Sequence, residues 1–172
     1  MERSVRSGFT VVEALILAAI VAIVVAVAVP GLWRARMARN ESAAIASLRT
    51  IVRAEIAYAN VCGDNRYAAA FAALSVPPRG STQPFLEPEL ADPTRTHDGY
   101  RLTLGKGEGA AAGGPDCNGT PTYTAYYATA VPASFGSTGR RSFAVNTGGT
   151  IWQTPAAGAP PEPFAAPATP IQ

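Results

Sequence analysis

The sequence predicts an α+β protein. One long N-terminal helix, apolar in its first half and amphipathic in its second, packs on an antiparallel sheet of three or four strands. Three observations predict it. An uninterrupted apolar run lies near the start of the chain. A stripe of apolar residues at three- and four-residue steps follows, with no proline or glycine between Leu32 and Cys62. Short alternating segments rich in Tyr, Thr and Val then lie between turn signals over residues 99–153.

The apolar run comes first. Ala14 to Val29 contains no polar residue, and counted from Phe9 the run is 21 residues long (9 to 29). At about 1.5 Å per residue a helix of that length reaches roughly 31 Å, close to the thickness of a bilayer core. No other segment is long and apolar enough to cross a membrane, so the composition is not that of a multi-span protein. The chain has 172 residues, which suits one domain, and its formal charge of +2 is too weak to make nucleic acid the main partner.

Three readings fit such a run. A cleavable secretory signal would explain the basic start, with Ala26-Val27-Ala28 as a small-residue cleavage site. Its apolar core would be unusually long, and Glu13 would interrupt it. A plain membrane anchor explains the length and leaves Glu13 unexplained. A carboxylate at the centre of a span costs roughly 2.5–3.5 kcal/mol, less near its end, and is a functional hypothesis by default.

The third reading accounts for Glu13. Gly8-Phe9-Thr10-Val11-Val12-Glu13, preceded by a short basic leader with Arg3 and Arg6, resembles the processing motif of type IV prepilins and of the pseudopilins of type II secretion. The resemblance is firm over about residues 1–60 and loose beyond. It implies a type IV pilin-like fold. It also implies that a prepilin peptidase cuts between Gly8 and Phe9 and methylates the new amine of Phe9, leaving a mature chain of 164 residues (172 − 8). Glu13 is then the fifth mature residue and Pro30 the twenty-second, where the family keeps its glutamate and many members have a helix-bending proline. The implied localisation is the bacterial inner membrane, single-pass, with the C-terminal part outside. The implied partners are the peptidase, the bilayer, an inner-membrane assembly platform, and copies of the chain or other pilins in a filament.

Elementary electrostatics gives Glu13 a task within that picture. Phe9 and Glu13 are i and i+4 neighbours on a helix. Apolar helices slide past one another at little cost, whereas a carboxylate in lipid seeks a cation, so an amine–carboxylate pair favours one register. The flanking charges do not orient the span. Arg34, Arg36 and Arg39 nearly balance Arg3, Arg6 and the amino terminus. Pro30 removes a hydrogen-bond donor. Either the membrane helix ends there, or one long helix bends or melts there.

The remaining elements follow in order. With residues 1–8 as leader and 9–30 as membrane or filament-core helix, residues 31–62 form the amphipathic half. Its expected buried stripe is Ile45, Leu48, Val52, Ile56 and Ala59, with Arg49, Arg53 and Glu55 more exposed and Gly63 as C-cap. Residues 63–98 are a variable loop broken by prolines, with a short helix over 68–74 and Tyr67, Phe71 and Leu74 on one face. This loop is a candidate site of subunit contacts. The sheet spans 99–153: strands over 100–104, 122–131, 141–146 and 150–153, the last two joined by Thr147-Gly148-Gly149, with a loop over 105–121. The tail, 154–172, carries six prolines and reads as extended and mobile.

The chain offers little chemistry. His97, the single histidine, stands beside Asp98 in a loop. Gly105-Lys106-Gly107-Glu108-Gly109 lacks the ending of a phosphate loop and reads as a turn. Asp116-Cys117-Asn118-Gly119 has part of the ligand pattern of a calcium loop without its closing glutamate, and Asn118-Gly119-Thr120 is a glycosylation sequon. An Asx turn explains the same residues. Arg140-Arg141 is too small a basic patch for DNA. Cys62 and Cys117 do not have zinc-ligand spacing. Exported, they can pair; otherwise they are two separate thiols. The expectation is a structural subunit without catalytic residue, cofactor or metal. A pseudopilin of type II secretion is the alternative within the superfamily, and a membrane-anchored periplasmic binding domain that never polymerises is the alternative outside it.

Overall fold

The computed structural model describes residues 10–171. Helix α1 runs over Val11–Val61, α2 over Phe71–Ser75. The strands are β1 Thr96–His97, β2 Tyr100–Lys106, β3 Ala112–Pro115, β4 Pro121–Tyr123, β5 Tyr126–Pro132, β6 Ser142–Asn146, β7 Ile151–Thr154 and β8 Thr169–Pro170. The chain divides into two units, residues 1–36 and 37–172. The fold is thus α+β, with one long N-terminal helix, apolar at its start, and an antiparallel sheet.

The described part of the first unit is the apolar half of α1. Helix assignment continues through Pro30 and Gly31 without a melted turn, so the helix does not end where the apolar run ends.

In the second unit the rest of α1 lies against a six-stranded sheet of order β1-β2-β5-β6-β7-β8, antiparallel throughout. The expected three or four strands correspond to its long members, β2, β5, β6 and β7; short edge strands complete it on both sides. The expected strand over 122–131 is two strands. β4 pairs with β3, which lies inside the segment read as loop, in a separate two-stranded ribbon, and β5 joins the main sheet. Two tight turns have the conformations their sequences demand. Asp98 and Gly99 both take positive φ (46° and 76°) between β1 and β2, the geometry that matches strand twist, and the Thr147-Gly148-Gly149 turn sets Val145 opposite Ile151.

One core holds this unit together. From α1 come Ala44, Leu48, Ile51, Ala54 and Tyr58; from the sheet come Tyr100, Leu102, Ala128, Ala130, Phe143 and Val145. The α1 stripe is rotated from the expected one. Leu48 and Ala59 are buried as expected, but Ile45 and Val52 are only half-buried and Ile56 is exposed. Met37, Glu41, Ala44, Leu48, Ile51, Glu55 and Tyr58 carry the contact instead. Glu55, expected outside, is fully buried. Gly63 is not the left-handed cap; Asp64 and Asn65 take positive φ, 51° and 59°. Gly63 lacks a Cβ because the Arg66 carbonyl and the Tyr58 ring occupy that space.

The tail is held down. Phe164 stacks on Trp152 with ring centroids 5.2 Å apart, Tyr127 donates to the Pro160 carbonyl, and Ser142 donates to the Ala156 carbonyl at 2.6 Å. Glu162 accepts from Asn146 Nδ2 at 2.7 Å and from the Glu108 amide at 2.8 Å. These contacts lay the tail over the sheet face opposite α1, and β8 then pairs with β7.

Candidate functional site: an uncovered apolar helix and its supporting scaffold

Every described residue from Thr10 to Arg36 is exposed. Val11 is 77 % exposed and Val29 44 %, so even the least open of the valines stays exposed among the described residues. The helix is long and apolar enough to cross a membrane, with a mean hydropathy of 3.0 over its best 18 residues. Apolar surface on this scale, left in water, costs about 25 cal/mol per Å². Exposed apolar patches of such size mark a membrane or a protein partner.

Glu13 is exposed at the first turn of α1. The Glu13 amide donates to Thr10 Oγ1 at 3.3 Å, and the Thr10 hydroxyl donates to Glu13 Oε2 at 3.4 Å. Thr10-Val11-Val12-Glu13 is therefore an N-terminal capping motif, Thr at the cap and Glu three residues on. This local role of Glu13, and Thr10 as its partner, escaped the sequence reading, although the Thr-x-x-Glu spacing carries the signal. Gly8 and Phe9, the expected processing site, lie outside the described residues.

The second unit holds its elements together by three polar fastenings. The first is a disulfide between Cys62, at the end of α1, and Cys117, with Cα atoms 4.8 Å apart. Beside it the Tyr58 hydroxyl donates to Asp116 Oδ2 at 2.8 Å. Burial, and then this acceptor, push the Tyr58 phenol well above its ordinary value. Asp116 Oδ1 in turn accepts the amides of Asn118 and Thr120, at 2.8 and 2.7 Å, in an Asx turn. Its carboxylate thus accepts three hydrogen bonds within the protein, and no group of three or more metal-ligating side chains occurs among the described residues. The sequon residue Asn118 donates its amide nitrogen to the Pro77 carbonyl at 3.2 Å.

The second fastening joins α1 to the sheet. Glu41 Oε2 takes Nη2 and Nε of Arg141 at 2.6 and 2.8 Å, and Glu41 Oε1 takes the Arg140 amide at 2.8 Å. Gln153 Oε1 accepts the remaining Arg141 arm at 2.7 Å. Of the basic pair, the Arg141 guanidinium is therefore a structural clamp, and Arg140 contributes only its backbone amide. The third is Glu55. Its Oε2 accepts the Ala68 amide at 3.0 Å, while Oε1 has no partner among the described residues. Burial raises its pKa to about 8, against the lowering effect of the Ala68 hydrogen bond.

The other residues singled out in the sequence stand apart from one another. His97 is half-buried at the end of β1, its Nε2 without a partner among the described residues. Lys106 ends β2 and lies 4.4 Å over the Tyr123 ring. Gly109 turns the chain with φ of 67°.

No protein-family model, curated protein or solved structure matches the chain.

Proposed function

We propose that this chain is a type IV pilin-like structural subunit, major or minor. In this reading a prepilin peptidase cuts between Gly8 and Phe9 and methylates Phe9. The apolar half of α1 holds the subunit in the inner membrane, and an assembly platform then moves it into a helical filament of copies and related subunits. Glu13 sets the register of assembly, and no residue has a catalytic role.

One observation carries the reading. The apolar half of α1 is exposed along its length among the described residues, and it begins on a carboxylate. A bilayer covers such a helix during storage and neighbouring helices cover it in a filament; a soluble fold covers it in neither state. The disulfide Cys62–Cys117 adds support, since such bonds persist in an oxidising compartment such as the periplasm. The α+β unit behind the helix suits an outer domain displayed from a filament core.

The test is the intact mass and N-terminal sequence of the membrane-associated protein, with and without prepilin peptidase. A chain beginning at N-methylated Phe9 only when the peptidase is active is the expected result. A chain beginning near Val29 would make it a secreted soluble domain. An uncut chain beside active peptidase would leave a plain anchor, with a periplasmic domain that never polymerises. Recovery in sheared surface filaments, against loss of exoprotein secretion on deletion, separates a pilus from a type II secretion pseudopilus.

A further inference from the structure

The exposed face of the second half of α1 carries charge of one sign. Its two acids, Glu41 and Glu55, turn inward and are 7 % and 0 % exposed. Arg49 and Arg53 are i and i+4 neighbours on the outside, and neither enters an ion pair among the described residues. Around them the face is mostly small or apolar. Ala46 and Ala57 are exposed, and so are Ile56 and Val61, at 52 % and 64 %. Arg49 also lines a cleft of about 270 Å³ with Gly149, Thr150, Ile151 and Ile171. A flat helix face with two unneutralised guanidinium groups and an open cleft beside one of them is shaped to receive carboxylates from outside the molecule.

The same chain presents carboxylates of that kind. In the loop after α2, Leu86 and Ala91 are buried and anchor the segment, and the Leu86 amide donates to the Leu74 carbonyl at 3.0 Å. Between these anchors Glu87 and Glu89 stand exposed on either side of Pro88, which fixes its own φ. Asp92, next along, is taken up by its own turn, accepting from the Thr94 amide and hydroxyl at 2.9 and 2.6 Å. The acids offered outward are thus Glu87 and Glu89. Among the described residues Glu89 pairs with Arg95 alone, at 3.7 Å and largely in water. Such a pair is worth little and is readily exchanged for a better one.

We infer that the Arg49–Arg53 face of one copy docks the Glu87–Glu89 loop of a second copy. The two patches differ, so the contact is head-to-tail; repeated, it builds a ring or an open helical array rather than a two-fold dimer. Two arginines flanked by Ile56 do not make a phosphate-tracking surface, whose affinity scales with the number of cations it commits. The inference rests on the filament reading and deepens it by naming a subunit contact outside the apolar helix.

The test uses the full-length chain in cells that assemble it. A photo-crosslinking amino acid replaces Ile56, and crosslinked peptides from sheared filaments are identified by mass spectrometry. A crosslink into residues 84–95 of a second copy is expected. In parallel, R49E/R53E is expected to lower filament yield at least tenfold, and E87R/E89R placed in the same chain is expected to restore it. Neither arginine supports the fold, so the thermal midpoint of R49E/R53E should match that of the parent. Normal filament yield from R49E/R53E, no recovery in the four-fold variant, or crosslinks only elsewhere on the second copy would each overturn the contact while leaving the filament reading intact. If the parent chain is cut and exported yet forms no filament, the filament reading fails, and this contact fails with it.

Discussion

Glu55 offers the sharpest energetic prediction, because its burial and its hydrogen bonding pull in opposite directions. Its folded pKa of about 8 lies above the ordinary 4.5, so the folded chain holds a proton that the unfolded chain releases. Stability from this group is fully present below pH 4.5 and is lost as the pH rises through 8. Between pH 5 and pH 8.5 the loss is about 4 kcal/mol, at roughly 1.36 kcal/mol per pH unit and allowing for partial titration at each end. Glu55→Gln removes the titration and keeps an oxygen for the Ala68 amide, but it sets an amide NH₂ where Oε1 now has no partner. The protonated parent already sets an unpartnered O–H at that place, so the amide adds little new cost at low pH. The glutamine variant should match the parent within about 1 kcal/mol at pH 5 and be the more stable of the two at pH 8.5. Urea unfolding of the full chain in detergent, disulfide intact and followed by near-UV dichroism, measures both. If parent and variant lose stability in parallel between the two pH values, Glu55 is not protonated in the folded core.

The other fastenings make plainer predictions. Replacing Cys62 and Cys117 together by serine should cost about 4 kcal/mol, since the bond closes a loop with a sequence separation of 55, and a thermal melt against the disulfide-bonded parent reads it. Glu41→Ala strands the Arg141 guanidinium and the Arg140 amide; with Arg141 partly in water the cost should be about 2 kcal/mol, visible as a lower urea midpoint. Arg141→Lys should lose much of the same stability, because lysine cannot hold both Glu41 and Gln153. Ending the chain after Thr154 uncovers the open edge of β7 and the sheet face under Phe164, so the truncated protein should aggregate by light scattering where the full chain does not.

How much of this was legible in the sequence depended on what kind of signal each element carries. The long helix and the β6–β7 hairpin are written in strong local terms, an apolar run without breakers and a Thr-Gly-Gly turn. The phase of the amphipathic half is not. Ala43, Ala44, Ala46, Ala54, Ala57 and Ala59 put alanine on most sides of the helix, so a stripe through Ile45, Val52 and Ile56 reads as well as the true one through Ala44, Ile51 and Glu55. Only the sheet, with Arg140 and Arg141 to receive Glu41, breaks the tie. The tail misled for a different reason. Prolines remove amide donors, which suggests a chain free of structure, yet they leave carbonyl acceptors and apolar rings. Tyr127 and Ser142 supply the missing donors from the sheet. The carboxylate of Glu162 takes two more from Asn146 and Glu108. Those partners lie far along the chain, where no local pattern points to them.

Glu13 now has two physical explanations, and they predict different outcomes. As a capping residue it works through Thr10, and glutamine serves nearly as well as glutamate in that role. As a register charge it works through its ionised carboxylate, and glutamine removes the charge altogether. Glu13→Gln therefore keeps the cap and abolishes the charge; Thr10→Val keeps the charge and abolishes the cap, at a cost of about 1 kcal/mol in helix stability. If registration carries the function, Glu13→Gln should lose filaments while Thr10→Val, still cut between Gly8 and Phe9, assembles them at near-parent yield. The two readouts are kept separate by scoring cleavage by mass and assembly by shearing. Filaments from Glu13→Gln and none from processed Thr10→Val would reverse the assignment. Glu13 would then be a helix cap that happens to sit at the head of an apolar span, and its charge would be incidental to assembly.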